Sequence, residues 1–217
     1  MLQISSKRKW LKPDFIEDKA RARLLAYEDQ FGRILQPPIP VNHLIEAHLG
    51  LVVDWDDIPE ETDDTILAYI DPQTRCIRMN ASRRDHFDQF IGTETFTLAH
   101  EVGHWDLHVV EAHAVQLSLL GDIASRSFIC RSSDKNGFEW QANRYAAALI
   151  MPAPMVRDYA ETLDLCCWHT LYALKDEFGV TISALTTRLE ELGLVYRSAD
   201  NKLYPSKEAF VGQEKLL

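Results

Sequence analysis

The chain has 217 residues, of which 46% are hydrophobic and 26% are charged, and its formal net charge is −10. This length favours one domain, or one domain with a small appendage, and the hydrophobic content is high enough for a core, which argues against wholesale disorder. The acidic balance disfavours nonspecific binding to DNA or to anionic membranes, because both need clustered Lys and Arg.

The start of the chain and the cysteines indicate the compartment. Residues 1–15 carry a basic cluster but no apolar segment after it, so we expect no signal peptide. The longest apolar run, residues 145–152, is too short to span a bilayer. The four cysteines form no Cys-x-x-Cys pair, and the neighbours Cys166 and Cys167 are a poor disulfide framework. We therefore expect a reduced, cytoplasmic protein with no membrane contact.

The first part of the chain is predicted to contain two helices and a strand. Apolar residues at helical spacing predict a helix over residues 14–31, ended by Gly32. A proline-rich connector follows at residues 37–40, and a short helix is predicted over residues 41–49. Residues 51–55 are a candidate strand.

Two strand-like runs come next, at residues 65–70 and 75–80, and the turn between them predicts a β-hairpin. The second run alternates apolar and polar residues, as a half-buried strand does. Its segment 77–80 is predicted to offer an edge at which an extended substrate could pair. Thr93 is predicted to cap a helix that runs to about Val110.

The second half is predicted to be mainly helical. Residues 114–120 are a candidate helix, and residues 125–137 have the composition of a loop. A strong helical pattern covers residues 139–151, and two more helices are expected at residues 166–178 and 182–192. The two helices expected at residues 166–178 and 182–192 are spaced like a helix-turn-helix motif, but neither has a basic face. We therefore expect no direct binding to nucleic acid.

The pattern His-Glu-x-x-His lies within the predicted helix that starts at Thr93. Positions i and i+4 of a helix lie about 40° apart around the axis and about 6 Å apart along it, so His100 and His104 can bind one metal ion. Glu101 lies at the edge of the same face, where its carboxylate can act as a general base. The pattern therefore predicts a zinc-dependent peptidase. The alternative is a pair of histidines that only pack on a helix face beside a solvated carboxylate.

A catalytic zinc site normally has three protein ligands. His108 lies about 12 Å along the helix axis from His100, too far to share one ion in an unbroken helix, so we expect it to support the site rather than to bind the metal. Glu139, at the start of the next strong helix, is the better third ligand, although it could instead stabilise the dipole of its own helix. The weaker candidates are Asp106, Glu111 and Asp134.

The residues around Glu139 suit a close approach of two helices. Gly103 on the first helix and Ala142 and Ala146 on the second are small, so the helix axes can lie near each other. Asn143 lies one turn beyond Glu139, where its side chain can hydrogen-bond a ligand imidazole. We therefore predict Asn143 as a second supporting residue.

Residues 96–104, Phe-Thr-Leu-Ala-His-Glu-Val-Gly-His, resemble the active-site helix of the ImmA/IrrE family of metallopeptidases. Residues 139–152 resemble that family's second motif. In this motif a Glu is followed three residues later by Ala-Asn, and the motif ends with Met-Pro. Shorter flanking segments also fit, so the resemblance covers residues 35–195. Residues 93–95 read Thr-Glu-Thr, where many members have arginines.

The resemblance implies that His100, His104 and Glu139 bind Zn²⁺, with Mn²⁺ as an alternative ion, and that Glu101 is the catalytic base. It also implies an α+β, zincin-like fold, mostly helical, with a small antiparallel or mixed sheet beside the active-site helix. Known members cleave a repressor encoded nearby, so the implied substrate is a protein, a helix-turn-helix repressor.

We expect three segments along the chain. Residues 1–34 would be an N-terminal helical extension, residues 35–165 the metallopeptidase core, and residues 166–217 a C-terminal helical pair with a tail, packed on the core. A loop over the cleft, such as residues 111–137, is a candidate for restraining the peptidase. The alternative function is that of a metal-binding regulatory or toxin–antitoxin interaction protein without catalysis.

Overall fold

The computed structural model describes residues 10–60, 65–109, 128–131 and 137–214. Within these residues a four-stranded mixed sheet is combined with helices, which confirms the predicted α+β, mostly helical fold. The helices are α1 (Pro13–Phe31), α2 (Val41–His43), α3 (Arg84–Gln89), α4 (Thr93–His104), α5 (Gly137–Ile150), α6 (Ala153–Ala160), α7 (Trp168–Phe178), α8 (Ile182–Glu191) and α9 (Lys207–Glu214). The strands are β1 (Val52–Asp56), β2 (Ile66–Asp71), β3 (Cys76–Asn80), β4 (Phe128–Arg131), β5 (Tyr196–Arg197) and β6 (Leu203–Tyr204). Two helices, α2 and α4, continue as π-helical turns, Leu44–His48 and Trp105–Val109.

The main sheet has the order β1-β3-β2-β4. β1 runs parallel to β3, with Trp55 opposite Met79, and β2 runs antiparallel to both β3 and β4. The predicted hairpin is present as β2 and β3. The prediction that residues 77–80 offer a free edge is wrong, because β1 and β2 pair with β3 on its two sides.

β2 presents alternate residues to the core. Ile66, Ala68 and Ile70 are buried, whereas the residues between them are partly exposed. This two-residue period is that of a strand with one covered face. α4 packs against β2, so the sheet supports the helix that carries the His-Glu-x-x-His pattern.

α4 begins at a glycine rather than at the predicted cap. Thr93 is the first residue of α4, and Gly92 occupies the cap position with a φ of 90°. A Cβ at Gly92 would lie 2.6 Å from Val180 Cα. The prediction of a Thr93 cap is wrong because the chain must pass close to the loop between α7 and α8 here, with a backbone conformation that favours glycine.

β4 lies in a segment whose composition predicted a loop, residues 125–137. Its pairing with β2, in which Tyr69 lies opposite Ile129, is a long-range contact that local composition does not reveal. The predicted helix at residues 114–120 and most of the candidate covering loop at 111–137 lie outside the described residues.

α1 packs against α5 and buries one face. Its buried residues, Ile16, Ala20, Leu24 and Tyr27, recur every three or four positions, as an amphipathic helix requires. They belong to the same hydrophobic core as the sheet and α4. Gly32 ends α1 in the left-handed conformation, with a φ of 61°.

α7 and α8 form the predicted helical pair near the C-terminal end. The Thr181 side chain caps α8 by accepting a hydrogen bond from the Ala184 amide at 3.1 Å. Leu174, Phe178 and Leu189 of the pair are buried in the common core. None of the helices in the described part of the chain combines the length and the apolar character that crossing a membrane requires.

Candidate metal centre

α4 and α5 bring together the three residues that the sequence predicts as metal ligands. His100 Nε2 lies 3.1 Å from Glu139 Oε2, and His104 Nε2 lies 3.3 Å from Glu139 Oε1. The two imidazole Nε2 atoms are 2.9 Å apart. One donor atom of each residue thus lies within 4.8 Å of the others. Two imidazoles and a carboxylate form a donor set that suits Zn²⁺, and this cluster on α4 and α5 is consistent with the predicted zincin-like fold.

Helix periodicity and one close helix contact assemble this trio. His100 and His104 are four residues apart on α4, so they share one face. Glu139 lies in the first turn of α5. Where the helices meet, a Cβ at Gly103 would lie 3.1 Å from Ala142 Cα, closer than side chains normally come. Glycine at this position therefore lets α5 approach α4 closely enough for Glu139 to reach both histidines.

The imidazole of His100 is oriented from α5. Its Nδ1–H donates a hydrogen bond to Asn143 Oδ1 at 2.9 Å. This bond places the proton on Nδ1 and leaves the Nε2 lone pair available to a cation. The structure thus places Asn143 behind the imidazole, on the side away from Glu139.

His104 lies at the end of a buried hydrogen-bond chain. His108 Nε2 is 3.2 Å from Gln141 Oε1, and His108 Nδ1 is 3.1 Å from His104 Nδ1. An amide oxygen only accepts, so His108 Nε2–H donates to Gln141 and, in a neutral ring, His108 Nδ1 must accept from His104 Nδ1–H. Burial, together with the nearby His104, lowers the pKa of His108 to about 4, which favours the neutral ring. These hydrogen bonds therefore place the proton of the His104 ring on Nδ1, so that Nε2 is unprotonated.

The charges in the trio favour a cation. Two imidazole lone pairs and a carboxylate face one another, an arrangement that is repulsive without a positive partner. Burial acts to raise the pKa of Glu139, but when ring protons on His100 and His104 supply the positive partner, their hydrogen bonds to the carboxylate outweigh burial and lower the pKa to about 2. Burial lowers the pKa of His104, which keeps that imidazole neutral. An anionic carboxylate and neutral imidazoles are the forms that bind a metal, so these residues fit a zinc ion.

Glu101 lies in sequence between the two histidines and is fully buried. Burial raises the pKa of its carboxyl to about 8, and the nearby His100 offsets this only in part. Neither carboxyl oxygen has a hydrogen-bond partner of normal geometry among the described residues. A buried polar group without a partner is costly to the fold, so stability does not explain the position of this carboxyl.

The weaker candidate ligands do not join the trio. Asp106 accepts hydrogen bonds from the Arg23 guanidinium at 2.7 and 2.9 Å and from the Tyr145 hydroxyl. This buried cluster ties α1 to the end of α4 and to α5, and it occupies both oxygens of Asp106. Glu111 and Asp134 lie outside the described residues.

Comparisons with known proteins agree with this geometry. A family model described as Peptidase_M78, IrrE N-terminal-like domain, matches residues 59–190, which is more than half of the chain. No curated protein gives a significant match. Among the solved structures, a Mycobacterium tuberculosis transcriptional regulator is similar over 88% of this chain and 55% of its own, with a TM-score of 0.51 and 16% sequence identity. The chain spans about half the length of that protein, and at this identity the likeness shows the fold alone.

Proposed function

The chain belongs to the Peptidase_M78 family with the IrrE N-terminal-like domain, and on that premise we propose that it is a zinc-dependent metallo-endopeptidase. The observation that carries the proposal is the convergence of His100, His104 and Glu139 within 4.8 Å. Three protein ligands of this kind, with a further position left for water or substrate, are typical of catalytic rather than structural zinc sites.

Each residue of the site has a proposed role. His100, His104 and Glu139 would hold the metal, while Asn143 and His108 would hold the two imidazoles in the tautomers that bind it. Zn²⁺ suits this donor set, and Mn²⁺ is the alternative ion because it accepts the same ligand types. When bound, the ion supplies Lewis acidity, which acidifies water and polarises the substrate carbonyl.

Glu101 would serve first as general base and then as general acid. Burial raises the pKa of this carboxyl, and the charge of a cation held by the neighbouring trio would favour its ionised form. The carboxylate takes a proton from the attacking water, whose oxygen forms a bond to the peptide carbonyl carbon. Glu101 then passes that proton to the leaving nitrogen as the carbon–nitrogen bond breaks. Because the side chain is fully buried, the proton is kept from exchange with bulk water between the two transfers.

The proposed substrate is a helix-turn-helix transcriptional repressor in the cytoplasm. The resemblance of residues 96–104 and 139–152 to the ImmA/IrrE motifs supports this choice, because known members cleave such repressors. The net charge of −10 adds support, since an acidic protein attracts the basic surface of a DNA-binding partner. A repressor encoded beside the gene for this chain is the first substrate to test.

Metal analysis tests the proposed centre. The wild-type chain should bind one zinc ion, and His104→Ala should lower zinc affinity by more than about 100-fold, since even the loss of a supporting residue costs about 10–100-fold. His86→Ala removes an exposed imidazole outside the trio and should bind zinc like the wild type. Unchanged zinc affinity in His104→Ala would overturn the proposal.

A further inference from the structure

A groove of about 840 Å³ is lined mainly by α1 and α6, and α5 and the end of α8 also contribute to it. Its volume lies within the range of ligand clefts in proteins, about 300–1,000 Å³. On α1 the lining residues occupy positions 14, 17, 18, 21, 24, 25 and 28, which form one stripe of the helix. Neither the metal trio nor Glu101 is among the residues that line the groove, so it is a separate surface.

The groove exposes large apolar side chains. Leu25 and Ile34 line it with exposed fractions of 57% and 83%. Leu24, Leu35 and Ala148 are buried and extend the apolar surface inward. Apolar side chains grouped in one groove with polar residues around them are typical of a surface that a partner covers.

The charged groups of the groove are mainly acidic. Carboxylates outnumber guanidinium groups in its lining by six to three. Arg144 is occupied by Glu191 at 3.2 Å and by Glu17 at 3.7 Å. Asp14 and Asp158 are exposed, and no cation among the described residues pairs with them. The groove therefore offers unpaired negative charge beside its apolar surface.

This combination favours one kind of occupant. Nucleic acids and anionic membranes carry the same sign of charge as the groove and would be repelled. A second copy of this chain, with a net charge of −10, is also a poor electrostatic match. A basic amphipathic helix matches both features, because its apolar stripe can leave water while Lys or Arg side chains beside the stripe meet the carboxylates.

We propose that this groove docks a basic amphipathic helix of a partner protein. Its apolar side chains contact Leu25 and Ile34, and its cationic side chains lie near Asp14 and Asp158. The stripe on α1 spans about 21 Å, which is the length of a helix of about 14 residues. The assignment does not depend on the proposed function, because none of the residues given a role in cleavage lines the groove.

Two dye-labelled helical peptides of about 14 residues are suitable probes. In the first, a stripe of leucines is bordered by lysines, and in the second, glutamates replace the lysines. Fluorescence anisotropy with the full chain should show the lysine peptide binding at least about 10-fold more tightly at low ionic strength. The difference should shrink as salt is added, because salt screens exposed charges.

Substitutions in the groove separate the two contributions. Ile34→Asp should weaken binding of the lysine peptide about 10-fold through lost apolar contact, and Asp14→Lys about 5-fold through reversed charge. Both side chains are exposed, so both variants should fold. The matched controls, Val211→Asp on α9 and Asp29→Lys on α1, change exposed residues outside the groove and should bind like the wild type.

Each of three outcomes would overturn the assignment. The wild type could fail to bind the lysine peptide, or bind the two peptides equally. The lysine peptide could bind Ile34→Asp and Asp14→Lys as tightly as the wild type, which would place its site elsewhere. Sedimentation could show a wild-type dimer that Ile34→Asp dissociates, which would make the groove an interface between copies of this chain.

Discussion

Each histidine of the metal centre is held through the ring nitrogen that faces away from the converging atoms. Asn143 holds His100, and Gln141 holds His104 through His108. The sequence indicated Asn143, because a residue one turn beyond the predicted carboxylate ligand lies on the same helix face. Gln141 could not be predicted, since its contact depends on the π-helical turn after α4 and on how α5 crosses that turn.

Gln141→Leu should weaken zinc affinity about 10–100-fold, the usual cost of losing a partner of a metal-binding imidazole. The substitution removes the acceptor for His108, so the tautomer of His104 with an unprotonated Nε2 is no longer selected. Chelator competition on the folded protein measures the affinity, and nitrogen NMR of the imidazoles reports the tautomer. Gln141→Glu keeps an acceptor and should stay close to the wild type. An unchanged affinity and tautomer in Gln141→Leu would contradict this account of His104.

α4 and α5 could be predicted as elements because their apolar residues recur with a helical period. Their close approach could also be predicted, since Gly103 and Ala142 are small. The position of β3 inside the sheet could not, because strand order depends on the crossover from β1 rather than on any local pattern. β4 could not be predicted for the same reason, as only its pairing with β2 defines it.

Gly103→Val should destabilise the chain by about 1–3 kcal/mol, as overpacking of a tight contact does. A Cβ there would lie 3.1 Å from Ala142 Cα and 3.2 Å from Tyr145 Cβ, so α5 must shift and move Glu139 away from the histidines. Zinc affinity should fall together with the midpoint of thermal unfolding. Gly212→Val on α9 is the control, because a Cβ there meets nothing within 4 Å. Wild-type stability and affinity in Gly103→Val would show that the helix contact is not tight.

Helices from opposite ends of the chain are joined by a buried ion pair. Arg188 on α8 is fully buried, and its Nη2 donates to Glu17 Oε2 on α1 at 2.8 Å. Its Nε donates to the Met151 carbonyl at 3.0 Å. The paired residues are 171 positions apart, and arginine is seldom fully buried, so no sequence pattern indicated this contact.

The division into residues 1–34, 35–165 and 166–217 stays a prediction that limited proteolysis would test.

Glu17→Ala should cost about 3–5 kcal/mol in the free energy of unfolding, because it leaves a buried guanidinium without its main partner. The neighbouring Asp18→Ala is a matched control. Asp18 pairs with Arg21 on the surface, where the side chains are 67% and 63% exposed, and such pairs contribute about 0–1 kcal/mol. Chemical denaturation of both variants measures the difference, and equal small losses would contradict a role for the pair in joining α1 to α8.

In the mechanism that we propose, Glu101 performs the proton transfers while the metal trio holds zinc. Zinc content and cleavage of a candidate helix-turn-helix repressor, recorded by mass spectrometry in the same samples, compare the wild type with Glu101→Gln. Glu101→Gln should keep the zinc content of the wild type and cleave at least about 100-fold more slowly, the usual contribution of a general base. Cleavage at the wild-type rate by a zinc-loaded Glu101→Gln protein would contradict a proton-transfer role for Glu101.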